Sequence, residues 1–330
     1  MQRRSFIAQL GLAAVAGCAS DGPSGAPASE GPVAQQLRHH RTLQGGYLAP
    51  ALPGVGLPAA PGSGMFIRWL APAALALRGS ELLVADTAGS RLWRADLMSN
   101  AVTGMPAAPV GPGTALALGP DLSAWVLDPP TRQVLRFARD GRLLQTWRVG
   151  TALPSPVALA LADGGATLML ADGLGALWSE QRGPGSLMRT VAPEAAGGLR
   201  ISGVDALAAG RDSVFVLDRL AGVVHQVARA GQVQRTLGRG ELQQPVALAI
   251  DRLERLYVHD AHDHSIKRLH GQAPTLRWSA AELGVQRIGG LAVDGFMLAV
   301  SDPLRGQVVV HQLPPGAAPC SPADGAPAGP

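Results

Sequence analysis

Six aspartates recur along the chain at spacings of 42, 44, 46, 42 and 42 residues. Carboxylates of this kind serve elsewhere as general acids, general bases or metal ligands. Here each ends a short run of alternating apolar residues, and an aliphatic residue stands two positions earlier. Because one occurs per repeat, we interpret them as acceptors for backbone N–H groups in turns. The six are Asp86, Asp128, Asp172, Asp218, Asp260 and Asp302.

The densest group of possible metal ligands lies at residues 259–264, where His259, His262 and His264 accompany two aspartates. Imidazole and carboxylate groups are ligands that zinc accepts. Strand alternation and a turn are expected to separate His259 from His264, so we predict no metal site, a metal centre being the alternative. No catalytic residues and no cofactor are predicted. We place His262 and His264 on a candidate binding face instead.

Asp205 stands at the start of the first strand of its repeat, where the other repeats carry Ala, Thr, Val or Gly. We predict that its carboxylate points toward the mouth of a central channel formed by these strands. The alternative is a solvated carboxylate beside channel water. Arginines that follow the second strands or lie between repeats complete a mildly basic candidate face for an anionic partner. A general preference for Arg over Lys is the alternative explanation. These arginines are Arg132, Arg219, Arg239, Arg287 and Arg305.

The elements that position these residues follow from an internal repeat. An Ala-Leu-Ala-apolar segment recurs in five copies, and a sixth, residues 290–293, begins with Gly. Each copy precedes an apolar strand ending in one of the six Asp, then a third and usually a fourth strand. Four short strands in roughly 40–50 residues is the size of a propeller blade. The sequence predicts an all-β, six-bladed β-propeller over residues 64–313. The last blade lacks a fourth strand, and we predict that the N-terminal strand Met65–Trp69 closes it.

The fifth copy carries a family resemblance. Residues 245–251, 256–260 and 263–266 resemble an NHL repeat, with His264 at the His of its Asn-His pair and Asp263 replacing the Asn. The other copies keep the skeleton and lose that pair. The resemblance implies a six-bladed propeller that chiefly binds ligands or proteins.

The N-terminus has the layout of an export signal: Arg3 and Arg4 precede an apolar run of about a dozen residues, too short to span a bilayer. Arg3-Arg4 resembles a twin-arginine motif, and residues 15–18 resemble a lipobox ending at Cys18. We therefore predict a signal peptide at 1–17 and lipidation of Cys18, with an ordinary secretory signal as the alternative. Pro-, Gly- and Ala-rich composition predicts a flexible linker at 18–63 and a disordered tail at 314–330.

Composition limits the functions that remain. A net charge of +4 on an exported chain argues against nucleic acid as a partner. One Asn, seven Glu and no Gly-x-Ser-x-Gly motif leave no recognisable catalytic set. We predict a monomeric, non-catalytic lipoprotein of the cell envelope, anchored to the outer membrane facing the periplasm, whose propeller binds a protein, peptide or glycan. The alternative is a propeller enzyme, either a quinone-dependent dehydrogenase or a metal-dependent hydrolase or lyase.

Overall fold

The protein is described by a computed structural model that covers residues 37–48, 64–149, 151, 153–175, 177–181, 188–191, 201, 203–270 and 273–314. The predicted signal peptide, Cys18 and the tail beyond residue 314 lie outside these residues. Nearly all the regular structure is β-strand, with one short 3₁₀ turn at Asp163–Gly165. Among the described residues, no helix has the length and apolar character needed to cross a membrane.

The strands form six sheets, which we call blades 1 to 6. Three strands precede the first repeat: β1 (Arg38–Leu43), β2 (Gly45–Leu48) and β3 (Met65–Arg68). Blade 1 contains β4 (Pro72–Arg78), β5 (Glu81–Asp86), β6 (Arg91–Asp96) and β7 (Ala101–Met105). Blade 2 contains β8 (Ala115–Leu118), β9 (Ala124–Asp128), β10 (Gln133–Phe137) and β11 (Leu143–Arg148). Blade 3 contains β12 (Pro156–Ala162), β13 (Thr167–Asp172), β14 (Leu177–Gln181) and β15 (Met188–Val191).

The remaining blades repeat this order. Blade 4 contains β16 (Val204–Ala209), β17 (Ser213–Asp218), β18 (Val223–Ala228) and β19 (Val233–Leu237). Blade 5 contains β20 (Pro245–Ile250), β21 (Leu256–Asp260), β22 (Ser265–His270) and β23 (Ala273–Ser279). Blade 6 contains β24 (Leu291–Asp294), β25 (Met297–Asp302) and β26 (Gln307–Gln312). Each second strand pairs antiparallel with its neighbours in chain order.

The blades form a closed ring around a channel. The first strand of each blade contacts the first strand of the next, and β24 of blade 6 contacts β4 of blade 1. Each of six apolar clusters lies between two neighbouring blades, so the core is a set of inter-blade layers. Small residues of the Ala-rich first strands, such as Ala76 and Ala160, are buried in these layers. The predicted β-propeller is confirmed.

The strand that completes blade 6 differs from the expectation. The predicted closing strand, Met65–Trp69, does not pair with blade 6: β3 pairs with β2, and β2 pairs in parallel with β7 of blade 1. The closing strand is β1, which pairs antiparallel with β26. Residues 38–48 of the predicted linker are therefore part of the propeller. The prediction failed because an outer strand faces solvent, so the polar run Arg38–Arg41 has the composition of a linker.

Leu43 anchors the closing strand. Its side chain is 3% exposed and packs in the cluster between blades 6 and 1, together with Trp69. Met65 on the neighbouring strand β3 is 64% exposed and offers a matched contrast.

We expect Leu43→Ala to lower the free energy of unfolding by about 2–4 kcal/mol, because it removes buried methyl groups from a junction that holds the ring closed. Met65→Ala is expected to change it by less than about 0.5 kcal/mol. Denaturant unfolding of both variants measures the difference. Equal losses would show that β1 does not close the ring.

Candidate binding face

The six repeated aspartates define one face of the propeller. They end the second strands, and in blades 1, 3, 5 and 6 they accept hydrogen bonds from the segment that leads into the first strand. Asp86 accepts from the backbone N–H groups of Leu70 (2.9 Å) and Ala71 (2.8 Å). We call the surface formed by these segments and by the turns after the six Asp the upper face. The opposite surface, formed by the turns between first and second strands, is the lower face.

The same bond recurs in other blades. Asp172 accepts from the N–H of Ser155 (2.6 Å), and Asp302 accepts from the N–H of Gln286 (2.7 Å). Asp218 accepts from Ala221 N–H (3.0 Å) in its own turn, and Asp128 accepts from the Thr131 hydroxyl. All six carboxylates belong to buried residues. The interpretation of the repeated Asp as acceptors for backbone N–H groups is confirmed for five of them, while the donor to Asp128 is the Thr131 hydroxyl.

In blade 5 the acceptor is also part of a buried ion pair. The ammonium group of Lys267 lies 2.7 Å from Asp260 and 3.0 Å from Asp263, and it donates to the Glu241 carbonyl. Burial raises the pKa of the Asp260 carboxyl, but the Lys267 ammonium and backbone N–H groups outweigh burial and lower it to about 2. Lys267, the only Lys of the chain, therefore lies beneath the upper face and stabilises the turn that follows Asp260.

Within residues 259–264, His259 is separated from His262 and His264, as expected. His259 is buried in β21, and burial lowers its pKa to about 4, so its ring is neutral at pH 7. His262 and His264 are exposed in the turn that follows, and His264 has a φ of 50°. Asp260 and Asp263 are both engaged by Lys267. Among the described residues, no three His, Cys, Asp or Glu side chains are placed to share a metal ion.

Asp205 lies at a β-bulge near the start of β16, where the pairing with β17 shifts between Val204 and Ala206. Corresponding bulges occur in β4, β12 and β20, so this position is set by the fold and only its carboxylate is unusual. The Asp205 carboxylate forms an ion pair with the Arg219 guanidinium group at 2.6 Å. Burial raises the pKa of Asp205, and the neighbouring Arg219 opposes the rise.

The other four predicted arginines also lie on the upper face, each in a different turn or inter-blade segment. Arg132 and Arg305 lie in turns after second strands, while Arg239 and Arg287 lie in the segments between blades. All four are exposed. Arg305 approaches Asp302 at 4.0 Å, which is the limit of an ion pair. The structure thus brings together Asp205 and Arg219, and leaves the other four as separate exposed cations. Their role in binding stays a prediction.

Exposed leucines on this face were missed by the sequence analysis. Leu174, Leu220 and Leu304 each stand two residues after a repeated Asp, and they are 76%, 67% and 59% exposed. Aligning the six repeats on their Asp would have revealed that this turn position carries Leu in three blades. Solvent-facing apolar side chains among charged ones are a feature of interaction surfaces.

Comparison with known proteins shows similarity in the fold alone. No known family model matches the sequence, and no curated protein matches it. A solved protein of unknown function from Bacteroides thetaiotaomicron has a TM-score of 0.58 and 13% identity, covering 74% of this chain and 70% of that chain. Virginiamycin B lyase from Staphylococcus aureus has a TM-score of 0.52 and 11% identity, covering 71% and 78%. Hydrazine synthase from Kuenenia stuttgartiensis has a TM-score of 0.54 and 13% identity, covering 79% and 98%. The shared feature is the propeller fold.

The ion pair beneath the upper face predicts a pH dependence. A carboxyl whose pKa falls to about 2 on folding stabilises the protein above about pH 4, and this stabilisation is lost as the pH falls towards 2. A shift of about 2 pKa units corresponds to about 2–3 kcal/mol. Between pH 7 and pH 2 we therefore expect the wild type to lose about 2–3 kcal/mol more than Asp260→Asn does. Denaturant unfolding across this range measures the difference, and parallel curves would contradict the assignment.

Proposed function

We propose that the protein is a cell-envelope lipoprotein whose propeller binds a protein, peptide or glycan through its upper face. The observation that carries this proposal is the pairing of exposed Leu and Arg within the same turns. Leu220 lies beside Arg219 in blade 4, and Leu304 lies beside Arg305 in blade 6. An apolar anchor next to a guanidinium group suits a partner that combines apolar surface with anionic groups.

The scaffold beneath the face supports this role. Each turn starts from a buried Asp bonded within its own turn, to the neighbouring segment, or to both, so its backbone conformation is fixed before any partner arrives. A preorganised surface loses less conformational entropy on binding. The residues after the Asp differ between blades, from Ala88 to Pro130 to His262, while the Asp itself is constant. The turns therefore vary without loss of the fold, as a binding surface requires.

The path of the chain supports an arrangement in which a lipid anchor at Cys18 would leave the upper face free. Arg38, the first residue of β1, pairs with Gln312, and the next residue, Leu313, donates its N–H to the carbonyl of Phe296 in a lower-face turn. Strand β1 thus begins on the lower side of the propeller. Residues 19–37 span at most roughly 65 Å when fully extended. With Cys18 acylated, the lower face is the one tethered towards the membrane.

Lipidation has its own test. We expect Cys18→Ser to move the protein from the membrane fraction to the soluble fraction of the envelope, because acyl chains on this residue supply the anchor. Fractionation and immunoblotting measure the distribution. Retention of Cys18→Ser in the membrane fraction would contradict anchoring by this residue.

The binding face is tested by in-cell crosslinking of the tagged protein, followed by mass spectrometry of captured envelope components. We expect the double variant Leu220→Ser/Leu304→Ser to reduce capture of a specific partner at least tenfold, because it removes two apolar anchors. Arg219→Gln is expected to weaken capture and its dependence on salt, since screening acts on exposed charges.

The matched control lies on the lower face, where Leu253 is 61% exposed. Leu253→Ser removes an equally exposed leucine and should leave capture unchanged. Capture that survives the upper-face double variant, or that is lost equally in the control, would overturn the proposed face.

A further inference from the structure

The lower mouth of the central channel forms an open cavity of about 640 Å³. Its volume is within the range of small-molecule sites. The inner wall is formed by aliphatic residues at the ends of the six first strands, which we call the channel ring. The channel ring consists of Leu77, Leu118, Leu161, Ala209, Ile250 and Val293.

Four carboxylates line this cavity, and three of them are neutralised by arginines. Asp294 accepts two hydrogen bonds of 3.1 Å from the Arg252 guanidinium group. Asp163 accepts a hydrogen bond of 2.8 Å from Arg229. Asp251 forms an ion pair with Arg255. The fourth, Glu254, accepts the backbone N–H of Arg211 at 2.7 Å. In the part of the chain that the structure describes, no cationic side chain pairs with Glu254.

Two guanidinium groups that line the cavity have no partner among the described residues. The side chains of Arg78 and Arg211 make no hydrogen bond and no ion pair with any described residue. Arg78 ends the first strand of blade 1, and Arg211 follows the first strand of blade 4. Blades 1 and 4 are three positions apart in a closed ring of six, so these residues lie on opposite sides of the channel.

We propose that the lower mouth binds a small aliphatic dicarboxylate. Arg78 holds one carboxylate and Arg211 holds the other, because a guanidinium group matches a carboxylate in charge and in bidentate geometry. The methylene chain between them packs on the channel ring. This site is separate from the upper face and goes beyond the proposed function, so either is testable without the other.

The test is calorimetric titration of the full-length Cys18→Ser protein with succinate, adipate, suberate, hexanoate and 1,6-diaminohexane. We expect one dicarboxylate length to bind best, because Arg78 and Arg211 lie on opposite sides of the channel and a ligand must span it to reach both. Hexanoate, with one carboxylate, is expected to bind at least tenfold more weakly than that dicarboxylate, and the diamine is expected not to bind. Equal binding of hexanoate, binding of the diamine, or no binding by any dicarboxylate at millimolar concentration would overturn the proposal.

Variants assign the binding to this mouth. We expect Arg78→Gln and Arg211→Gln each to weaken binding of the best dicarboxylate at least tenfold. The matched control is Arg142→Gln, since Arg142 is an exposed arginine in the turn between β10 and β11 and does not line the cavity. Glu254→Gln is expected to strengthen binding, because it removes the one unneutralised lining carboxylate. Unchanged affinity in both Arg variants, with melting temperatures equal to the parent's, would overturn the assignment.

Discussion

The structure depends on one repeated interaction, the buried aspartate at the end of each second strand. In blades 1, 3, 5 and 6 its carboxylate reaches the backbone that leads into the first strand of the same blade. That bond joins the inter-blade segment to the second strand and so fixes how one blade follows the next. A buried carboxylate is costly unless its lone pairs are satisfied, and the backbone N–H groups satisfy them. In these four blades the bond therefore fixes both the step from one blade to the next and the turn on the upper face.

Blades 4 and 5 show how the same position accepts extra polar groups. Seven residues after the Asp, blade 5 places Lys267 against Asp260, and blade 4 places His225 at 3.8 Å from Asp218. Burial lowers the pKa of His225, so the two blades differ in the charge that they hold beneath the surface. The other blades carry no cation at this position in the sequence. The scaffold thus tolerates different polar groups beneath two turns that both start from a buried Asp.

Much of the fold was predictable because its signals are local and repeated. The Ala-rich first strand and the Asp at fixed spacing appear six times, and each is explained by packing near the channel or by turn hydrogen bonds. The closing strand was not predictable in this way, since β1 is paired with residues about 270 positions away and its solvent-facing side chains hide its role. The pairing of Asp205 with Arg219 could not be predicted without the geometry of the bulge. The cavity beside Arg78 and Arg211 could not be predicted without the closed ring, which brings blades 1 and 4 to one channel.

The closure of the ring also bears on the order in which the propeller folds. Strand β1 pairs with β26, about 270 positions away in the sequence. Pairings of such sequence separation form late, because the loop-closure entropy must be paid before the contact is gained. Until that pairing forms, blade 6 lacks its outer strand, and the open edge of β26 is free to pair wrongly. The pairing of β1 with β26 therefore both completes blade 6 and covers that edge.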